Sequence, residues 1–345
     1  MPSRISLTLT ALAGLAGAAA TFTAFVPFAG AQEEMQAGAP RAGRGQGYVG
    51  PHTNLDATVK DPAGAPPDAS HIIMVLPNQI KWTGNVALLY GSPTKDGDPY
   101  GMVVKIPAGQ FSAPHKLSKD RWVYVISGTL WVSDGGDAKT SSPVVKDNFL
   151  TNTANTTFSD GNRAGAAEPT TLFISGVGSA DNHVMDEYSK KTTVSIKDAA
   201  GPAPDASHIS ISPIPLDGNH NLYGGGQDST GEGTPYGVIQ TWPVGRTSSP
   251  HYHTQPRYIY VLNGPWWVSS STYHDTRLTY PVPTGSFVQD LPHGIHWDGN
   301  RVGADYTTRL YITGVSPATN HGVDEDGKDL PPQPRGGGRG GRGAE

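Results

Sequence analysis

A single phrase occurs twice in this chain. Lys60-Asp61-Pro62-Ala63-Gly64-Ala65-Pro66-Pro67-Asp68-Ala69-Ser70-His71-Ile72 returns 137 positions later as Lys197-Asp198-Ala199-Ala200-Gly201-Pro202-Ala203-Pro204-Asp205-Ala206-Ser207-His208-Ile209. Further matches follow in the same order. Pro99-Tyr100-Gly101 returns as Pro235-Tyr236-Gly237, Arg121-Trp122-Val123-Tyr124 as Arg257-Tyr258-Ile259-Tyr260, Asp160-Gly161-Asn162-Arg163 as Asp298-Gly299-Asn300-Arg301, and Asn182-His183 as Asn320-His321. A period this long is a whole domain rather than one turn of a solenoid, so the chain must fold the same way twice.

Each unit reads as all-β. Runs such as Val123-Tyr124-Val125-Ile126 and Trp266-Trp267-Val268 have the β-branched and aromatic content of buried strands, and Gly or Asn closes them. The 44 glycines and 30 prolines, with no long stretch of helical periodicity, fit short strands joined by turns. About six to eight such strands per unit make a sandwich or jelly roll.

The ends read differently. Residues 1–31 have the charged start, apolar run and small-residue Ala29-Gly30-Ala31 of a secretory signal, which implies a periplasmic or secreted protein. Residues 32–58, rich in Gly, Ala and Pro, are expected to be a disordered leader. Residues 59–192 and 193–330 form the two domains, and 331–345 an Arg/Gly-rich disordered tail. No second long apolar segment is present, so stable membrane insertion is not expected. A net charge of −5 gives no electrostatic case for nucleic acid. With no cysteine in the chain, thiolate ligands and disulfides are excluded, which leaves histidine and oxygen as metal ligands.

Histidines do collect in the second unit. In Ser249-Pro250-His251-Tyr252-His253 the two imidazoles are two apart on a strand and share a face. A third is offered by Leu291-Pro292-His293-Gly294-Ile295-His296-Trp297, as either His293 or His296; His296 directly precedes Trp297-Asp298-Gly299, where the strand should resume. Three histidines from two strands are a common way to hold a divalent transition metal with open positions. His251-x-His253 with Arg257 and Gly264, followed by Gly285 and Pro292-His293-Gly294-Ile295-His296, resembles the two motifs of the cupin superfamily. The resemblance spans nearly all of residues 59 to 325 and implies two tandem cupin domains of the double-stranded β-helix, or jelly-roll, type.

Two features depart from that family's pattern. Arg257 stands where a glutamate is usual, and the second motif is one residue short. A guanidinium about 5 Å from a dication, at an effective dielectric near 20, would be repelled by roughly 7 kcal/mol. Arg257 must therefore turn away, pair with a carboxylate such as Asp290 or Asp298, or face an anionic ligand that sits between it and the ion. Arg121 occupies the same place in the first unit, where a metal set is missing: His115 remains, but Leu117 stands for His253, Phe158 for His296 and Asn155 for His293. One metal per chain is expected.

His71, His208, His183 and His321 recur whether or not the metal set does, which points to structural hydrogen bonds, while His220 and His274 sit in polar, loop-like contexts and are expected to be solvated. Arg257, Trp267 and Tyr236 are the candidate substrate contacts. The resemblance implies a mononuclear three-histidine oxygenase, dioxygenase-like and with Fe(II) ahead of Mn, Ni, Cu or Zn, that acts on a small oxygenated compound, acidic ones included. The alternative is a cupin that binds a small ligand or metal without turnover. A monomer with an internal pseudo-dimer, or a homodimer, suits either.

Overall fold

The computed structural model describes residues 49–182, 187–229 and 231–331. The segment expected to be a secretory signal, residues 32–48 of the expected leader, the Arg/Gly-rich tail from residue 332 and His183 lie outside the described residues.

Two six-stranded antiparallel sheets repeat one order. In the first unit it runs Ile209–Pro213, Asn148–Asn152, Arg121–Ser127, Thr170–Val177, Pro99–Ile106, Val86–Tyr90. In the second it runs Ile72–Val75, Phe287–Asp290, Arg257–Asn263, Thr308–Val315, Pro235–Trp242, His220–Tyr223. Smaller sheets close each barrel: Gln110–Phe111, Phe158–Gly161, Thr129–Asp134 and Ser142–Val145 in the first, and Trp266–Ser269, Tyr280–Val282 and Trp297–Gly299 beside His251–His253 in the second.

Sequence order and spatial order part company at the start of each unit. Ile72–Val75 pairs with Phe287–Asp290 of the second barrel, and Ile209–Pro213 pairs with Asn148–Asn152 of the first. Each repeat thus lends its opening arm to the other's sheet, so residues 59–76 belong in space to the second barrel and the start of 193–330 to the first. The repeated arginines hold these arms. Arg301 donates to the carbonyls of Thr58, Asp61 and Pro62 and stacks on Trp267, while Arg163 donates to those of Ser195, Asp198 and Ala199 and stacks on Trp131. The glycine of the repeated phrase lets the arm lie close. A Cβ on Gly64 would sit 2.5 Å from the Leu278 carbonyl carbon, and one on Gly201 1.8 Å from the Thr140 oxygen.

The leader is more ordered than its composition predicts. Asn54 and Thr58 bridge to Asp275 and Val302, and Ala57 is buried, because the arm's backbone groups find partners on the second barrel. Residues 54–58, part of the stretch expected to be disordered, therefore lie against the second barrel.

The side-chain period of two gives the central strands two buried faces. Leu172 and Ile174 fill the first barrel, and Leu310 and Ile312 the second. Phe173 and Tyr311, which alternate with them, meet in a third core between the barrels. There Tyr90 stacks on Tyr258 at 3.8 Å and Tyr223 on Trp122 at 3.9 Å, a reciprocal pair that ties the repeats into one body.

Candidate metal centre

The strand His251–His253 lies at the mouth of the second barrel, paired with Asn320–Gly322. Alternation turns Tyr252 outward, stacked flat on His321 at 4.9 Å, and turns both histidines inward. Across from His251 the chain returns with His296, and the two residues exchange backbone hydrogen bonds of 2.9 and 2.8 Å. One ligand atom from each of His251, His253 and His296 lies within 4.8 Å of the others, and all three side chains are buried.

His293 does not join them. Its amide donates to the His253 carbonyl at 2.8 Å, its φ of 61° places it in a left-handed turn, and its exposed ring rests near Tyr252. Asn155, its counterpart in the first barrel, has a φ of 63°. The position is therefore a turn residue in both repeats, of the kind Asn tolerates.

The imidazoles are set up as neutral ligands. Nδ1–H of His251 donates to the Ser249 carbonyl at 2.7 Å and Nδ1–H of His296 to that of Gly294 at 2.9 Å, which leaves each Nε2 with its lone pair. The fully buried His253 ring has no side-chain partner among the described residues, and its one polar neighbour is the Ala318 backbone. Burial pushes all three well toward the neutral form, and the neighbouring rings and Arg257 push in the same direction for His251 and His253. Asp290 opposes this at His296. A buried imidazole with a nitrogen to spare, beside two tautomer-fixed ones, fits a divalent ion. Two nitrogens at about 2.1 Å from one ion are at most about 4.2 Å apart, so a shared ion would draw the rings slightly inward.

The decisive feature is the combination of a His-x-His strand, a returning histidine paired across from it, and a barrel built twice. The fold is a pair of all-β barrels, one per repeat, with the histidine set in the second. No protein-family model matches the chain, and no curated protein does. Among solved structures, the chain is similar to a cupin 2 conserved barrel domain protein from Leptotrichia buccalis (12% identity, 75% of this chain and 100% of that one, TM-score 0.45). It is also similar to an oxalate decarboxylase from Lactobacillus farciminis (10%, 75% and 90%, 0.45) and to salicylate 1,2-dioxygenase from Pseudoaminobacter salicylatoxidans (12%, 66% and 69%, 0.43).

Among the described residues, the first barrel has no matching histidine set. Leu117 and Phe158 occupy the places of His253 and His296 and belong to its apolar core, and His115 bonds to the Ala113 carbonyl.

Arg257 solves its charge problem with Asp290, and Nε and Nη2 both donate to Oδ2, at 2.9 and 2.6 Å. Nη1 donates to Gln227, and Nη2 stays 3.4 Å from His296 Nε2. Arg121 finds Asp160 and Asn152 instead. Asp298, the counterpart of Asp160, is buried, and its carboxyl is pushed up to about 7 by desolvation. Tyr236 is buried near this pair with a hydroxyl that has no partner among the described residues, and desolvation raises its pKa.

Trp267 is a correction. Its ring lies under Arg301 and its Nε1 donates to Tyr306, on the side of the strand opposite Trp266, whose ring fills the barrel. Alternation removes Trp267 from any interior ligand. His274 is also not solvated: it is buried, bonds to Thr247 and meets Trp297 edge-on. Gln227 was missed by sequence reasoning, since a lone glutamine in a Gly-rich loop carries no signal.

Proposed function

We propose that the second barrel holds one divalent transition ion on His251, His253 and His296, with Fe(II) the first choice, and that the chain is an exported oxygenase for a small oxygenated compound. The observation that supports this most is the convergence of three buried imidazoles, all shifted toward the neutral form, with one ligand nitrogen of each within 4.8 Å of the others. When bound, an ion on three neutral ligands keeps its full charge and open positions, and can polarise a bidentate oxygen ligand.

The chain's own residues supply the surroundings. Burial of the triad excludes water. The Tyr236 hydroxyl, kept protonated by burial, is a hydrogen-bond donor for a ligand oxygen. Asp290 neutralises Arg257, so the guanidinium can stand beside a cationic centre and still offer unused N–H groups to an acidic ligand.

A second reading, capture without turnover, draws on the enclosure of the site: His253 and His296 are both 0% exposed. Metal content per chain, measured beside a His253→Ala variant, tests the centre. About one equivalent, lost in the variant, supports it, and none after reconstitution overturns it. Dioxygen uptake with catechols, diketones and hydroxybenzoates then separates oxygenase from binder.

A further inference from the structure

The loop that carries His296 is gripped from outside by the other repeat's arm. The His71 carbonyl accepts from the Leu291 amide at 3.0 Å, and its Nδ1–H donates to the Ile295 carbonyl at 2.9 Å. Gly294 lies against the same residue, since a Cβ there would sit 2.5 Å from the His71 oxygen. Directly after His71, Ile72 begins the strand that pairs with Asp290. On the inner side the loop is tied to the ligand strand by His293 N to His253 O and by the His251–His296 exchange. His71 completes the outer side of this clamp.

The repeat provides an internal comparison. His208 stands in the same phrase, and its carbonyl still accepts from the equivalent loop, at Thr153 N. Its ring, however, turns to the Asp134 carboxylate, 3.0 Å from both oxygens. In the second barrel the matching position is Ser270, whose hydroxyl is taken by the Asp68 amide. With no carboxylate to hold it, the His71 ring goes to Ile295, one residue before the third ligand. The ring contact thus changes in the repeat that has the histidine set.

We infer that His71 is a positioning residue for the metal centre: the arm of the first repeat fixes the loop that presents the third ligand of the second. This rests on the metal reading above. Groups that hold a ligand in place commonly influence metal affinity by about 10- to 100-fold.

The test is a Co(II) titration of the full chain against a competing chelator, with visible spectra of the bound ion, for wild type, His71→Ala, His71→Asn, Ser270→Asp and His208→Ala. The expected result is affinity at least about 10-fold lower and an altered Co(II) spectrum for His71→Ala, and recovery in His71→Asn, whose amide can still donate to Ile295. Ser270→Asp, which deletes no group from the arm, should weaken binding by drawing the ring away. His208→Ala should leave affinity and spectrum unchanged. Wild-type affinity in both His71→Ala and Ser270→Asp, or an equal loss in His208→Ala, overturns the inference while the metal reading stands. Failure of the wild type itself to bind Co(II) overturns both.

Discussion

The guanidinium of Arg257 and the carboxylate of Asp290 face each other across adjacent strands, locked by two hydrogen bonds to one oxygen, and the pair sits beside His296. Removing one member of a buried pair leaves the other uncompensated, at a typical cost of 3–5 kcal/mol, whereas replacing both by apolar residues is often neutral. Asp290→Ala should therefore lose about 3–5 kcal/mol in urea unfolding and also bind metal more weakly, because a bare guanidinium would repel the ion. The double change Arg257→Met with Asp290→Leu should recover most of the stability. A small effect of Asp290→Ala on both readouts would count against the pairing.

His253 separates function from stability. A buried polar group without a partner costs about 1–3 kcal/mol, and this ring, which has only the Ala318 backbone as a polar neighbour among the described residues, leaves at least one nitrogen without one. His253→Leu, of similar volume, should raise the stability of the metal-free chain by about 1–3 kcal/mol and abolish the further gain on adding metal. For the wild type that gain is about 2.7 kcal/mol when free metal is 100 times its dissociation constant. Thermal unfolding with and without metal checks both halves. A less stable metal-free variant would mean that the ring is satisfied by packing alone.

The pH dependence follows from the same burial. His251, His253 and His296 all have folded pKa values below the ordinary 6.5, chiefly through desolvation, and His274 shifts the same way. Below pH 6.5 the unfolded chain binds protons that the folded chain refuses, so stability is full above 6.5 and falls as pH drops. Each such group contributes up to about 1.4 kcal/mol per pH unit. Asp298, raised to about 7, acts in the opposite sense: its contribution is full below 3.8 and is lost as pH rises toward 7. Four histidines outweigh one aspartate, so metal-free protein should lose stability from pH 6.5 to 5, less steeply in His253→Leu. Flat stability over that range would exclude neutral burial of the triad.

The fold was legible because the repeat forces one solution twice and the strand pattern defines it. His251, His253 and His296 were legible because spacing on a strand dictates facing. The exchange of arms was not, since Lys60–Ile72 reads identically whether it folds onto its own barrel or the other, and only the pairing of Ile72 with Asp290 distinguishes them. Trp267 was misjudged although a signal existed: Trp131 matches it in the repeat without histidines, so a role tied to the metal set was already disfavoured. Arg257 was constrained by charge alone, and Coulomb's law named Asp290 as one of two partners before any geometry was known.

The arms make the last prediction. Arg301 spends one guanidinium on five acceptors: the carbonyls of Thr58, Asp61 and Pro62, and the hydroxyl and carbonyl of Thr279. A lysine has three donors on a single nitrogen and cannot reach this fan, nor stack as a plane on Trp267. Arg301→Lys should therefore be almost as damaging as Arg301→Ala, each by about 3 kcal/mol or more, as buried carbonyls lose their partners. The first barrel would feel little of this, because Arg163 holds its own arm. Limited proteolysis should accordingly open sites within residues 58–71 first and leave 195–208 protected. Simultaneous cleavage of both arms would show that the two clamps act as one cooperative unit through the aromatic core between the barrels.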